Sequence, residues 1–284
     1  MKIPQIQEQV VRKNILILLV IFLSSYIFLS FIKPPSPDWI NHFSNVAKAP
    51  FQPYGQERYF YNPPWTALIL FPFSLLPLGV AWKINACFNI VIFSGIILFR
   101  KGNLLSIFLT LTSLPFFWLI GNGNIEWIPA LALFFPNSLG LILLSAKPQS
   151  GILVGLAWIK KQENLYRFVG IPVLWFLFSL LIWKNWPIDL FNNLSYSINR
   201  SMQSWNLSLF PWTVPIGIYL IYHILKNKPE NGELLGALAT LCISPYFAAY
   251  SLSLFFTLLS ISYPRYSILV WLSLWAYFFI VNLI

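Results

Sequence analysis

Long apolar runs recur along the chain, at about 15–32, 79–99, 104–120, 126–144, 168–183, 208–225, 234–262 and 266–283, with Pro, Gly, Asn and charged clusters between them. Several approach the ~20 apolar residues that an α-helix needs to cross a bilayer core. The pattern predicts an all-α fold, a polytopic membrane helix bundle of about eight transmembrane helices. Two apolar pieces are too short to span alone: Trp65 to Pro77, interrupted by Pro72, and Gly151 to Trp158. They predict interfacial or re-entrant helices, acceptable where protein rather than lipid satisfies the backbone ends. The run from 234 to 262 breaks at Ser244-Pro245 and predicts two packed helical pieces. Residues 1–284 read as one transmembrane domain with an extracytoplasmic loop at about 33–64.

Composition narrows the class further. Hydrophobic residues make up 58% of the chain, mean hydropathy is +0.70 and only 9% of residues are charged. Lys and Arg outnumber Asp and Glu by 18 to 8. With no basic patch interleaved with aromatics, this excess reads as a topology signal, and no nucleic-acid partner is expected. Cys87 and Cys242 both sit inside apolar runs, where a small buried thiol is the ordinary role. No His, Cys or carboxylate set has ligand spacing, so neither a metal nor a cofactor is expected. Arg12 and Lys13 precede the first run without a small-residue cleavage pattern, which predicts a signal anchor retained as the first helix.

The cations orient the spans. A cytoplasmic N-terminus puts Lys2, Arg12, Lys13, Arg100, Lys101, Lys147, Lys160, Lys161, Arg167, Lys226 and Lys228 inside, eleven in all. Outside are five: Lys33, Lys48, Arg58, Lys184 and Arg200. The bias predicts a multi-pass cell-membrane protein with its N-terminus in the cytoplasm and the lipid bilayer as a partner.

Asp38 is then the most informative residue, a lone carboxylate opening the first outer loop. Carboxylates at the mouth of a membrane bundle often serve chemistry or transport. Trp39, Phe43, Val46 and Ala47 follow at helical spacing and predict an amphipathic surface helix. Pro37-Asp38 before such a helix is equally suited to cap it. A cap and a catalytic role are the two readings of this residue. His42 lies four residues on, where interaction with Asp38 is geometrically possible. Lys48 and Arg58 share the loop and suit a phosphate, with surface solvation as the alternative. In Gly121-Asn122-Gly123-Asn124-Ile125-Glu126, glycine and asparagine suit a tight turn, and Glu126 opens a helix. The alternative makes Asn122, Asn124 and Glu126 a polar wall of a binding pocket. Lys147-Pro148-Gln149 reads as a cytoplasmic anchor or as a cation reaching lipid phosphate from a re-entrant turn, and the topology above puts it on the side opposite Asp38.

The order Asp38-Trp39, Pro53-Tyr54, Tyr61-Asn62-Pro63-Pro64, Gly121-Asn122-Gly123-Asn124, Lys147-Pro148-Gln149 and Ser244-Pro245 resembles the GT-C superfamily of membrane glycosyltransferases. Within it the chain is similar to glycosyltransferase family 87, the polyprenol-phosphate-mannose-dependent alpha-mannosyltransferase-like proteins. The resemblance implies transfer of a sugar such as mannose from a polyprenyl-phosphate-linked donor to a glycolipid or glycan acceptor on the extracytoplasmic face, with no metal. It also implies Asp38 as general base, with Arg58, Lys48, His42, Tyr61, Asn122, Asn124, Glu126 and Tyr250 as substrate-binding residues. Where related proteins often carry a Trp and then a His after the late Ser-Pro, this chain has Ala248 and Tyr250. The alternatives are a lipid or solute transporter and an inactive relative.

Overall fold

Every described element is helical, as backbone donors and acceptors inside a bilayer require. The computed structural model describes residues 5–32, 36–159, 162–198 and 206–283. Lys2, Lys33, Lys160, Lys161 and Arg200 lie outside the described residues. Helix α1 (Gln5–Ser30) runs antiparallel to the later Leu78–Phe99 helix: the Lys83 ammonium donates to Ser30 Oγ at one end, while Gly95 packs on Leu18 towards the other.

Between them lies the loop that carries Asp38. A wide π-turn (Trp39–Phe43) leads into α2 (Ser44–Lys48), and Trp39, Phe43, Val46 and Ala47 are all buried, the face that the spacing predicts. Next come α3 (Pro53–Gln56) and α4 (Trp65–Leu70), which continues as a 3-10 turn to Leu75, a short helical piece in the place expected. Helix α5 (Leu78–Phe99) then returns to an end marked by Arg100. The next two helices climb back to Gly123: α6 (Leu104–Leu111) and α7 (Leu114–Asn122), bent by 55° at their junction. Local capping sets their starts, since Asn103 accepts from Ser106 N–H and Ser113 from Phe116 N–H.

The 126–144 run does not cross once. Pro136 and Asn137 split it into α8 (Trp127–Leu131) with a 3-10 turn to Phe134, and α9 (Ser138–Ser145), whose first amides are capped by Asn137 Oδ1. The result is a hairpin. Its turn meets Arg100, whose guanidinium donates to Leu133 O at 3.0 Å, and both its ends return to the level of Asp38. From there residues 152–155 and α10 (Leu156–Ile159) descend again, until the Gln162 amide donates to Pro136 O. Helix α11 (Leu165–Trp183) rises from the Arg100 end, and α12 (Trp186–Ile198) lies at the Asp38 end, where Asn193 donates to Glu57 O and Phe60 O.

The last segments repeat the device. Helix α13 (Val214–Asn227) descends and α14 (Gly232–Ile243) ascends. The chain turns at Ser244–Ser251, and α15 (Leu252–Ser262) descends to Tyr263, whose hydroxyl accepts from Asn231. Helix α16 (Pro264–Leu283) follows. The break expected at Ser244-Pro245 is thus the tip of a second hairpin. Gly236 lets α14 meet the descending 152–155 segment, because a Cβ there would stand 2.5 Å from Leu153 O.

The expected eight spans are therefore corrected. Three described helices are long and apolar enough to cross a membrane, α1 from Val11, α5 and α11, or four if the bent α6–α7 pair is one span. Pro, Asn and Ser-Pro breaks fold the other apolar runs into short passes that lean on neighbours. At the Arg100 end, Arg100 makes a two-pronged ion pair with Glu233, and Glu233 also accepts from Trp158 Nε1 at 2.7 Å. This clamp joins α5, α10, α14 and the hairpin turn.

Single cysteines at Gln52, Lys101 and Asn137, in a background lacking Cys87 and Cys242, test the hairpin. An impermeant thiol reagent should reach 101 and 137 from one side and 52 from the other. Labelling of 137 from the side of 52 would contradict the fold.

Candidate functional site

The site forms where the first loop, the two ends of the first hairpin and the tip of the second converge. Asp38 stands at the N-cap position of its turn, yet its side chain makes no capping bond. Oδ2 instead accepts from Asn124 Nδ2 at 2.8 Å. Of the two sequence readings, the cap is removed. The Asn124 side-chain oxygen accepts from Ile125 N–H and from the Lys147 ammonium. Lys147 also donates to Glu126 Oε1 at 2.5 Å and lies over the Tyr250 ring, 4.5 Å from its centre.

Lys147 and Glu126 are essentially withdrawn from solvent, at 2% and 0% exposure. A buried ion is tolerable only when paired and hydrogen-bonded, and here each partner neutralises the other. The expectation that Lys147 anchors a loop opposite Asp38 is overturned. Because the 126–144 run turns back on itself, the lysine returns to the end from which the run departed.

The turn at 123–124 has both roles assigned to it, in different residues. Gly123 adopts φ +67, the left-handed region that favours glycine, and a Cβ there would stand 2.7 Å from Ser36 Cβ and Trp39 Cβ. It lets the Asp38 loop close on the bundle. Asn124 enters the network, whereas Asn122 turns back to Trp118 O and takes no part in it. Two residues that the sequence reading missed hold this turn: Asn85 donates to Gly123 O and Asn124 O, and Asn89 donates to Asn124 O. Their own oxygens accept from Trp127 Nε1 and Trp127 N–H. Their signal was available, as two buried amides at i and i+4 on an otherwise apolar helix.

The other predicted residues are distributed around this centre. His42 Nδ1 lies 3.3 Å from Glu57 Oε1 and hydrogen-bonds neither that carboxylate nor Asp38. The cause is the wide turn, in which Ser44 N–H reaches back to Trp39 O and rotates His42 away from the α-helical i+4 position. Lys48 and Arg58 are exposed, and Lys48 lines a cavity of about 110 Å³ with Trp39 and Phe73. Tyr61 is half-buried, next to Asn62, whose carbonyl accepts from Tyr54. Ser251 Oγ lies 3.5 Å from Glu126 Oε1. Glu126 Oε2 is buried and has no partner among the described residues.

Burial raises the Asp38 carboxyl above its usual 3.8, while the Asn124 hydrogen bond, His42 and Lys147 pull the other way. The Tyr246 and Tyr250 hydroxyls are raised from 10, by burial first and then by the charge on Asp38. Asp38, Asn124, Lys147, Glu126 and Tyr250 thus share one electrostatic unit. Among the described residues, no group of three His, Cys, Asp or Glu is placed to hold a metal ion.

The buried pair makes a stability prediction. Lys147→Met alone strands Glu126 and should destabilise by roughly 3–5 kcal/mol, while Lys147→Met with Glu126→Leu should recover most of that loss. Denaturant unfolding in detergent measures both. Equal losses in the single and double variants would show that the pair does not act as a unit. No protein-family model, curated protein or solved structure matches this chain.

Proposed function

We propose that the chain is a membrane glycosyltransferase of the GT-C type, which moves a sugar from a polyprenyl-phosphate carrier to a glycolipid or glycan acceptor, with Asp38 as general base. The observation that carries this reading is that Asp38 spends its hydrogen bond on Asn124 instead of on the helix it precedes. A carboxylate fixed through one oxygen, with its pKa raised, is prepared to take a proton through the other. The acceptor hydroxyl gives its proton to Asp38 as its oxygen attacks the anomeric carbon. The bond from that carbon to the phosphate oxygen breaks, and the electron pair leaves with the lipid phosphate.

Direct inversion needs only the one base. Of the carboxylates at the Asp38 end, Glu126 is ion-paired with Lys147, while Glu57 and Asp189 are the ones a retaining route would use. Charge assigns the cations. Lys147 carries one positive charge against Glu126 and Asp38, so the inner network has none to spare for a phosphate. Lys48 and Arg58, on the same loop as Asp38, supply it. Orientation follows from the cation bias. Arg12, Lys13, Arg100, Lys101, Arg167, Lys226, Lys228 and Arg265 belong to the Arg100 end, against Lys48, Arg58, Lys83, Lys147 and Lys184 at the other. The Arg100 end is assigned to the cytoplasm, and transfer to the outer face of the cell membrane.

One observation favours a second reading. A buried Lys–Glu pair where two broken hairpins meet also suits a transporter. Reconstituted protein given labelled polyprenyl-phosphate sugars and a membrane lipid extract separates the two. Glycosyl transfer is expected, and Asp38→Asn should lower turnover by about 100-fold or more while expression and insertion stay normal. Substrate movement that survives Asp38→Asn, with no transfer by the wild type, would replace the enzyme with the transporter.

Acidity gives an independent check. The base works deprotonated and its pKa is raised, so the acid limb of kcat/KM should lie above pH 3.8. A limb at or below 3.8 would exclude Asp38 as the group that titrates.

A further inference from the structure

At the end of the molecule opposite Asp38, a cavity of about 620 Å³ opens where the turn of the first hairpin meets the start of α11. Its two sides are tied together by donors already in use: Ser138 Oγ donates to Arg167 O at 3.1 Å, and Gln162 Nε2 to Pro136 O at 2.8 Å. At ~30 Å³ per water the space would hold about twenty molecules, far more than a lone ion needs. Its lining is also more varied than an ion needs. Charged and amide side chains stand on it together with Leu139, Ile142 and Ile171.

Two opposite charges, Arg167 and Glu163, share this lining without using each other. Both side chains are exposed and within a ligand's reach, and no ion pair joins them among the described residues. At the same end of the molecule Arg100 and Glu233 do pair. The capping asparagines add donors. Asn137 Oδ1 accepts from Leu139 N–H and Gly140 N–H, and Asn164 Oδ1 from Arg167 N–H, so each oxygen is turned to the backbone of its own helix. Each amide nitrogen is left on the cavity side of the cap, with no acceptor among the described residues. The lining therefore offers a guanidinium and two amide donors to an anion, and a separate carboxylate to a cation.

Position says where such a ligand comes from. Arg167 lies in the first turn of α11, a helix long and apolar enough to span and with only 11% of its spanning window buried, so the charges stand at the margin of the apolar layer. One turn further along α11 is Ile171, 39% exposed, and on the facing wall is Leu139, 48% exposed. A soluble zwitterion has no use for these walls, whereas a lipid carries both parts. A phosphodiester suits a guanidinium flanked by amide donors, and a carboxylate is best met by an ammonium that still has N–H to donate, which a trimethylammonium lacks. We propose that this cavity binds a phosphatidylethanolamine-type lipid. Its phosphodiester accepts from Arg167, Asn137 and Asn164, its ammonium donates to Glu163, and its chains start along Leu139, Ile142 and Ile171. The site does not rest on the glycosyl-transfer reading, and it is separate from the donor phosphate position assigned to Lys48 and Arg58.

Detergent-solubilised protein is mixed with equimolar phosphatidylethanolamine and phosphatidylglycerol of the same acyl chains, and retained lipid is counted by native mass spectrometry. The two lipids share the phosphodiester and differ in the ammonium. Phosphatidylethanolamine should be retained about fivefold over phosphatidylglycerol, the scale of one exposed ion pair. Glu163→Gln, at an exposed position that does not threaten folding, should bring that ratio to within about twofold of one. Arg167→Gln, equally exposed, should lower retention of both lipids. Glycerophosphoethanolamine, the same headgroup without chains, should not displace the lipid at equal concentration. Equal retention of the two lipids by the wild type would overturn the proposal, as would a preference that survives Glu163→Gln or retention that Arg167→Gln leaves undiminished. Displacement by glycerophosphoethanolamine would overturn the assignment to a lipid.

Discussion

The Lys147 ammonium, buried among Glu126, Asn124 and the Tyr250 ring, is the interaction on which the rest of the site depends. An isolated ammonium in such surroundings is prohibitively unfavourable, so the fold must bring three separated segments to it at once. Each arrives by a turn that breaks an apolar run. The first hairpin supplies Asn124 and Glu126 at its start and Lys147 at its end, and the tip of the second supplies Tyr250. Asp38 is then recruited through Asn124, whose amide group offers its oxygen to the cation and its nitrogen to the anion. One side chain thereby sets the distance between the two charges.

The geometry of the hairpins explains why the network sits at one end and the Arg100 clamp at the other. Between Asn89 and Arg100 helix α5 descends roughly 16 Å at ~1.5 Å per residue, and the first hairpin descends about that far. Short passes of this depth cannot expose their ends to lipid. Arg100, Glu233 and Trp158 satisfy the lower turn. Asn85 and Asn89 satisfy the upper one by binding the backbone of 123–127. The Asp38–Lys147 network is thus held by helices below and beside it, while the 36–60 loop closes over it at Gly123.

Much of this was legible in the chain, and what was not failed for a physical reason. Asp38 and the buried face Trp39, Phe43, Val46 and Ala47 follow from polarity and helical period. The α14–α15 break follows from Ser244-Pro245. Lys147 was misplaced because hydropathy sums a hairpin and a single span alike, and Pro136-Asn137 is too slight a mark to separate them. His42 lies beside Glu57 and makes no hydrogen bond to Asp38, because a π-turn does not keep α-helical register. Tertiary partners such as Asn124 with Lys147 have no local signature at all.

The central claim is that Asp38 is held through Asn124 in one electrostatic unit with Lys147. Infrared titration of the carboxyl C=O band that disappears in Asp38→Asn tests it directly. The account predicts protonation above pH 3.8 in the wild type. In Asn124→Leu, loss of a hydrogen bond that favours the ionised form should move it to still higher pH. An Asp38 band that titrates at or below 3.8, and that Asn124→Leu leaves in place, would contradict the account.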